Sequence, residues 1–236
     1  ALRNHGCDLQ CVGREGHLPI LAREHGDGRG LAGGVLRIEG KVSSQFVSSI
    51  LLAAPYADEP LAIVLAESGR PTSSTYIDMT VSCMALFGVV VQRSITKEGN
   101  VRFDVPTGVY SYCGGSLEGG VCRVECDASS ATYPLAMAAV TESTVLVHGV
   151  GDSSVQGDAG FVHLLETMGC AVMTTKETTQ VTGPSLVVSE SGSSSNKTGL
   201  TAVEVDMSDL TDAFMTAVAV AVFASGTTKI FGISKR

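Results

Sequence analysis

The sequence predicts an α/β (α+β) fold built on a duplicated unit, and three observations carry that prediction. A phrase rich in Ser and Asp recurs just ahead of an apolar run: Val42-Ser43-Ser44-Gln45 before residues 46–55, Asp127-Ala128-Ser129-Ser130 before residues 131–140, and Asp206-Met207-Ser208-Asp209-Leu210-Thr211-Asp212 before residues 213–224. Ser and Asp at a helix start accept hydrogen bonds from backbone N–H groups that have no partner inside the helix, so each phrase marks a helix N-terminus. The stretches after the first two phrases then run in the same order of helix, strand, loop, helix, Gly and strand. Finally, Phe87-Gly88-Val89 and Met168-Gly169-Cys170 stand at the same place in the two copies, where Gly is the expected C-terminal cap.

The elements follow in order. Val35-Leu36-Arg37-Ile38-Glu39 alternates and reads as a strand. After Ser43-Ser44-Gln45 an Ala/Leu-rich helix leads to the strand Leu61-Ala62-Ile63-Val64-Leu65. A loop through Ser73-Ser74-Thr75-Tyr76 opens a second helix over residues 77–87, and Val89-Val90-Val91 begins the next strand. In the second copy an Ala-rich helix is followed by a strand over 144–147, a loop over 153–157, a helix over 159–168 and a strand over 171–173. The third copy runs only to its first helix and a strand over 227–230. At about 80 residues the repeat is longer than a solenoid repeat, so this is a duplicated α/β unit and not a stacked array. Alternating helices and strands favour mixed or parallel sheets. The Gly/Ser-rich stretch 110–122 lies between the first and second copies and is the expected boundary of two domains, 1–122 and 123–236. Residues 189–199 read as a flexible loop.

A chain of 236 residues can bury one large core or two modest ones. Its formal net charge of −8 argues against non-specific nucleic-acid binding, which needs a basic footprint. The same charge sits awkwardly with helix N-termini that hold anions, unless cations gather at the site or lie on another part of a longer chain. No apolar stretch is long enough to span a bilayer, and no signal peptide opens the sequence. The start at Ala1-Leu2-Arg3 reads as the end of a helix and the stop at Lys235-Arg236 is equally abrupt, so a fragment of a longer polypeptide is expected. Seven cysteines at irregular spacing read as reduced thiols of a cytoplasmic protein.

Several motifs can be set aside. Cys7/Cys11 and Cys122/Cys126 have admissible zinc spacing, but only His5 and His17 lie near the first pair and no His lies near the second, so no metal is expected. Gly28, Gly30 and Gly33 spell GxGxxG, yet a strand pattern follows where a dinucleotide fingerprint needs a helix, and the run reads as a turn. There is no GxxxxGK[ST] and no HExxH. His163 beside Leu164-Leu165 reads as structural, and the formal sequon Asn196-Lys197-Thr198 as chance.

The run Val42-Ser43-Ser44-Gln45-Phe46-Val47-Ser48-Ser49-Ile50-Leu51 resembles a signature of the 5-enolpyruvylshikimate-3-phosphate synthase family. So do Tyr76-Ile77-Asp78-Met79-Thr80, Asp127-Ala128-Ser129-Ser130-Ala131-Thr132-Tyr133-Pro134-Leu135-Ala136 and Thr211-Asp212-Ala213-Phe214. Ala54-Pro55-Tyr56-Ala57-Asp58-Glu59-Pro60 looks most like the synthase region of fungal-type pentafunctional AROM polypeptides. The resemblance covers nearly the whole chain. It implies the two-domain enolpyruvyl transferase fold, each domain made of βαβαββ units. Residues 1–122 would be the later part of the first domain and 123–236 the beginning of the second, incomplete at both ends. The missing parts of that fold normally carry most of the Lys and Arg that hold phosphoenolpyruvate.

The resemblance further implies transfer of an enolpyruvyl group from phosphoenolpyruvate to the 5-hydroxyl of shikimate 3-phosphate, without a cofactor, inside a longer parent polypeptide. A hydroxyl is a poor nucleophile until a base takes its proton, and Asp212 matches the family's catalytic aspartate. Burial and neighbouring acids would raise its pKa while helix N–H groups oppose that. Ser43 and Ser44 would bind the 3-phosphate at a helix N-terminus, and Gln45 would reach the substrate through its two-sided amide. Ser73 matches a further phosphate-binding serine and Tyr76 a substrate-contacting tyrosine. Ser129, Ser130 and Asp209 read as caps. Lys235 falls where the family presents an Asn, and it takes no role. Two other readings stay open: a non-catalytic α/β module that binds an anion or assembles with a partner, and a UDP-N-acetylglucosamine enolpyruvyl transferase.

Overall fold

The computed structural model describes residues 2–23, 30–39, 43–66, 73–113, 124–185 and 199–233. Gly28, Val42, Cys122, Lys235, the sequon and most of the 110–122 and 189–199 stretches lie outside them. The chain divides into two compact units, Ala1–Cys122 and Arg123–Arg236.

In the first unit an antiparallel hairpin, β1 (Asp8–Cys11) and β2 (Ile20–Arg23), precedes a βαβαββ run. That run is β3 (Gly34–Ile38), α1 (Ser44–Ala53), β4 (Leu61–Leu65), α2 (Ser74–Leu86), β5 (Gln92–Ile95) and β6 (Val101–Val105). The sheet order is β3-β4-β6-β5, with β3 and β4 parallel and the other pairs antiparallel. The uninterrupted apolar sequence of β4 is explained by its place: every residue is buried, as a strand covered on both faces requires. β6 alternates, with Val101, Phe103 and Val105 inward and Arg102 paired to Asp104 at 2.6 Å on the other face. α1 buries Ser44, Val47, Ile50 and Leu51 along one stripe, against a core that includes Leu36, Ile63, Leu65 and Phe103.

The second unit repeats the plan. It runs α3 (Ala128–Val140), β7 (Thr144–His148), a 3₁₀ turn over Gly157–Gly160, α4 (Phe161–Thr167), β8 (Ala171–Thr174) and β9 (Thr178–Thr182). The order β7-β9-β8 reproduces β4-β6-β5 strand for strand. Then β10 (Glu204–Asp206), α5 (Phe214–Ala221) and β11 (Lys229–Phe231) form a parallel β-α-β, as β3, α1 and β4 do. The sequence pattern had shown the strand after α5 but not β10, which is only three residues long. The core of this unit centres on Phe161, Leu165, Met168 and Leu200.

Both predicted glycine caps close Schellman motifs. Gly88 N–H donates to Ala85 O at 3.1 Å and Val89 N–H to Met84 O at 2.9 Å; Gly169 N–H donates to Glu166 O at 2.9 Å and Cys170 N–H to Leu165 O at 3.0 Å. This explains why the strand expected from Val89 begins only at Gln92: the Val89 amide is already committed to the helix. Gly169 has φ +108, and a Cβ there would meet Gly199 O at 3.3 Å. Gly169→Ala is expected to destabilise by about 1–2 kcal/mol, read as a lowered thermal midpoint.

Among the described residues, no helix is long and apolar enough to cross a membrane, and no group of three His, Cys, Asp or Glu could hold a metal ion. Cys7 Sγ donates to Gly30 O at 3.0 Å, and Cys11 Sγ accepts from Gly16 N–H at 3.3 Å. Of the GxGxxG glycines, Gly33 runs directly into β3, a strand where a dinucleotide loop would open a helix.

Candidate active site

In the first unit the parallel pairing of β3 and β4 sets Ile38 opposite Leu65, and Ala66 N–H donates to Ile38 O at 2.7 Å. The chain therefore leaves both strands at one sheet edge, and α1 and α2 begin there. Ser43 is the N-cap of α1: its backbone is extended (φ −165) and its Oγ accepts Gln45 N–H at 3.2 Å. Ser44 is buried and Gln45 is exposed. Ser73 holds the N-cap position of α2 in the left-handed region (φ 49, ψ 51), and it caps through its carbonyl, which accepts Tyr76 N–H at 3.1 Å, not through a side-chain cap bond. A non-glycine residue in that region is uncommon and carries a steric penalty.

Ser48 Oγ and Thr80 Oγ1 lie 2.8 Å apart and join the two helices, while Thr80 Oγ1 donates to Tyr76 O at 2.8 Å. Ser44 precedes Ser48 by one turn and Tyr76 precedes Thr80 by one turn, so Ser44 and Tyr76 stand at the same level. The fold thus brings Ser43, Ser44, Gln45, Ser73 and Tyr76 to one edge of one sheet. Two adjacent helix N-termini with hydroxyls at their mouths suit a phosphorylated small molecule.

Asp212 belongs to the second unit. α5 starts at Phe214 with Ala213 at the N-cap, so Asp212 stands just outside the helix and Asp209 is not its cap. Asp206 closes a local turn instead, its Oδ1 accepting Ser208 N–H at 2.9 Å and Ser208 Oγ at 2.5 Å. The expectation of burial at Asp212 is corrected: Asp212 is exposed, and the buried acid beside it is Asp158. Asp158 sits on the 3₁₀ turn that packs against α3 and α4, whereas Asp212 sits on the loop before α5.

Asp158 accepts Ser129 Oγ at 2.5 Å, while the Ala213 N–H donates to Leu210 O at 3.2 Å. Burial pushes its carboxyl above the usual carboxylate range, the Ser129 hydrogen bond opposes this, and the nearby negative charges of Asp212 and Asp127 add to it. Ser129 and Ser130 are also not the caps expected of them. Asp127 caps α3, accepting Ser129 N–H at 3.1 Å, Ser130 N–H at 3.3 Å and the Ser130 hydroxyl. The Ser130 hydroxyl is the chief cause of a lowered Asp127 pKa. Gln156 completes the arrangement, with Oε1 accepting Ala128 N–H at 2.9 Å and Nε2 donating to Cys126 O at 2.7 Å. Sequence reasoning missed Gln156 and Asp158. The available signal was an acid at the start of a predicted helix, in a loop that occupies the place of Ser73 in the first copy. His163 is exposed on α4, its Nδ1 3.9 Å from Glu166 Oε2.

Residues 1–236 match the family model described as EPSP synthase (3-phosphoshikimate 1-carboxyvinyltransferase). The sequence is 45% identical over 237 residues to the pentafunctional AROM polypeptide of Yarrowia lipolytica and 43% identical over 239 residues to that of Clavispora lusitaniae. Each alignment covers 100% of this chain and 14% of the relative. EPSP synthase from Acinetobacter baumannii superposes with a TM-score of 0.61 at 22% identity, over 97% of this chain and 46% of that one. At that identity the likeness shows the fold, a mixed α/β arrangement of the enolpyruvyl transferase type. On the match over its whole length, the chain belongs to the EPSP synthase family.

Proposed function

We propose that the full-length polypeptide carrying these residues transfers the enolpyruvyl group of phosphoenolpyruvate to the 5-hydroxyl of shikimate 3-phosphate and releases phosphate, by addition and then elimination. The observation that carries this reading is the family match over residues 1–236. The geometry supports it: phosphate-suited helix N-termini in one unit and an accessible carboxylate at a helix start in the other. Ser43, Ser44 and Ser73 bind the 3-phosphate through hydroxyls and helix N–H groups. Gln45 and Tyr76 contact the sugar acid and the enolpyruvyl unit. Asp212 takes the proton of the 5-hydroxyl as general base.

In this reading Ala1–Cys122 is the later part of the first enolpyruvyl transferase domain and Arg123–Arg236 the beginning of the second. The remaining parts of the longer polypeptide supply the cations that hold phosphoenolpyruvate, which fits the charge of −8 on this segment. The enzyme works in the cytoplasm. The test is phosphate release by the full-length polypeptide with both substrates. Release that depends on shikimate 3-phosphate and not on UDP-N-acetylglucosamine is expected; the reverse preference, or none, overturns the reading. The 236-residue chain alone is expected to show little or no turnover in the same assay.

A further inference from the structure

In the first unit a chain of hydroxyls joins the two helices whose starts form the phosphate-suited edge. Ser48 lies on α1 and Thr80 on α2, 32 positions apart, and their oxygens meet at 2.8 Å. The direction of that bond follows from the next one. The Thr80 hydroxyl has a single proton, which it donates to Tyr76 O at 2.8 Å, a carbonyl that can only accept. Ser48 Oγ is therefore the donor to Thr80 Oγ1. The chain runs from α1 across to α2 and back to the first turn of α2. Both backbone groups of Tyr76 are held as a result, because its N–H donates to Ser73 O at 3.1 Å. Ser73 stands in the left-handed region at φ 49, a conformation that persists only where its surroundings over-determine it.

Thr is a poorer helix former than Ala, and a hydroxyl bonded back to the carbonyl four residues earlier slightly destabilises its own helix. The pair is thus not explained by the needs of either helix alone. It is part-buried, in a unit whose apolar core includes Val47, Leu51, Ile77 and Met84. A polar pair among apolar contacts fixes register, since any other alignment leaves a hydroxyl without its partner. Ser44 lies one turn before Ser48 and Tyr76 one turn before Thr80, each about 6 Å along its helix, so the pair stands equally close to both helix mouths.

We propose that Ser48 and Thr80 are positioning residues: their directed hydroxyl pair fixes α1 against α2 and so sets the spacing between the Ser43–Ser44 mouth and the Ser73–Tyr76 mouth. The proposal rests on those mouths binding shikimate 3-phosphate. Ser48 and Thr80 act through them, one turn away from the substrate.

The test uses the full-length polypeptide. Thr80→Val and Ser48→Ala are each expected to raise the Michaelis constant for shikimate 3-phosphate about 3–10-fold, with kcat and the constant for phosphoenolpyruvate within about twofold of wild type. Thr80→Ser and Ser48→Thr keep the hydroxyls and stay within about twofold on all three. Adding Ser48→Ala to Thr80→Val raises the constant no further, because both remove the same bond. A lowered thermal midpoint with an unmoved constant overturns the proposal. So does an equal rise in the hydroxyl-keeping variants, or a double variant whose effect is the product of the two. Should Thr80→Val fail to fold, Ser48→Ala decides alone. A wild-type constant in Ser43→Ala overturns the phosphate-site reading and this proposal with it, whereas a raised constant in Ser43→Ala beside unmoved Ser48 and Thr80 variants overturns only the proposal.

Discussion

Asp212→Asn in the full-length polypeptide is expected to lose about 10²–10⁴-fold in turnover, the range for removing a general base. The side chain keeps its size and loses its proton-accepting charge. Stability should hold within about 0.5 kcal/mol, because Asp212 is exposed and stands outside α5, whose N-cap is Ala213. This substitution separates catalysis from capping. Asn serves a helix N-terminus as well as Asp does, so a residue kept only for the local turn tolerates the change. Phosphate release and thermal unfolding of the same preparation decide it: wild-type turnover rules out the base.

Ser43→Ala is expected to act twice. The Oγ that accepts Gln45 N–H at 3.2 Å disappears, which costs about 1 kcal/mol of stability. The Michaelis constant for shikimate 3-phosphate rises about 10–100-fold, the equivalent of one hydrogen bond to a charged group, with kcat little changed. Ser43→Gly divides the two effects. Glycine at an N-cap loses only a few tenths of a kcal/mol, so the thermal midpoint recovers while the Michaelis constant does not. Recovery of both would place Ser43 among ordinary caps.

Much of this arrangement was legible in the residues. The strand Leu61–Leu65 was read to the residue, because a short apolar run bounded by Pro60 and polar sequence suits a central strand buried on both faces. The N-cap at Ser43 and the glycine caps at Gly88 and Gly169 were read from the backbone groups a helix leaves unsatisfied. The start of β5 was misread at Val89, where β-branched composition points to a strand but the Schellman bond to Met84 takes the amide first. Asp209, Ser129 and Ser130 were misread as caps, because a Ser or Asp near a helix start marks the neighbourhood and not which side chain turns inward.

By itself, the sequence determined the repeated α/β unit, its helix starts and stops, and the family to which the chain belongs. These rest on period, capping chemistry and ordered motifs, all of which act over a few residues. Only the tertiary structure decided which acid near the α5 start is buried and which is exposed: the burial expected at Asp212 falls on Asp158 instead. Burial is conferred by partners distant in the chain: Ser129 reaches Asp158 across 29 positions and Thr132 reaches Thr216 across 84, separations over which local pattern carries no information.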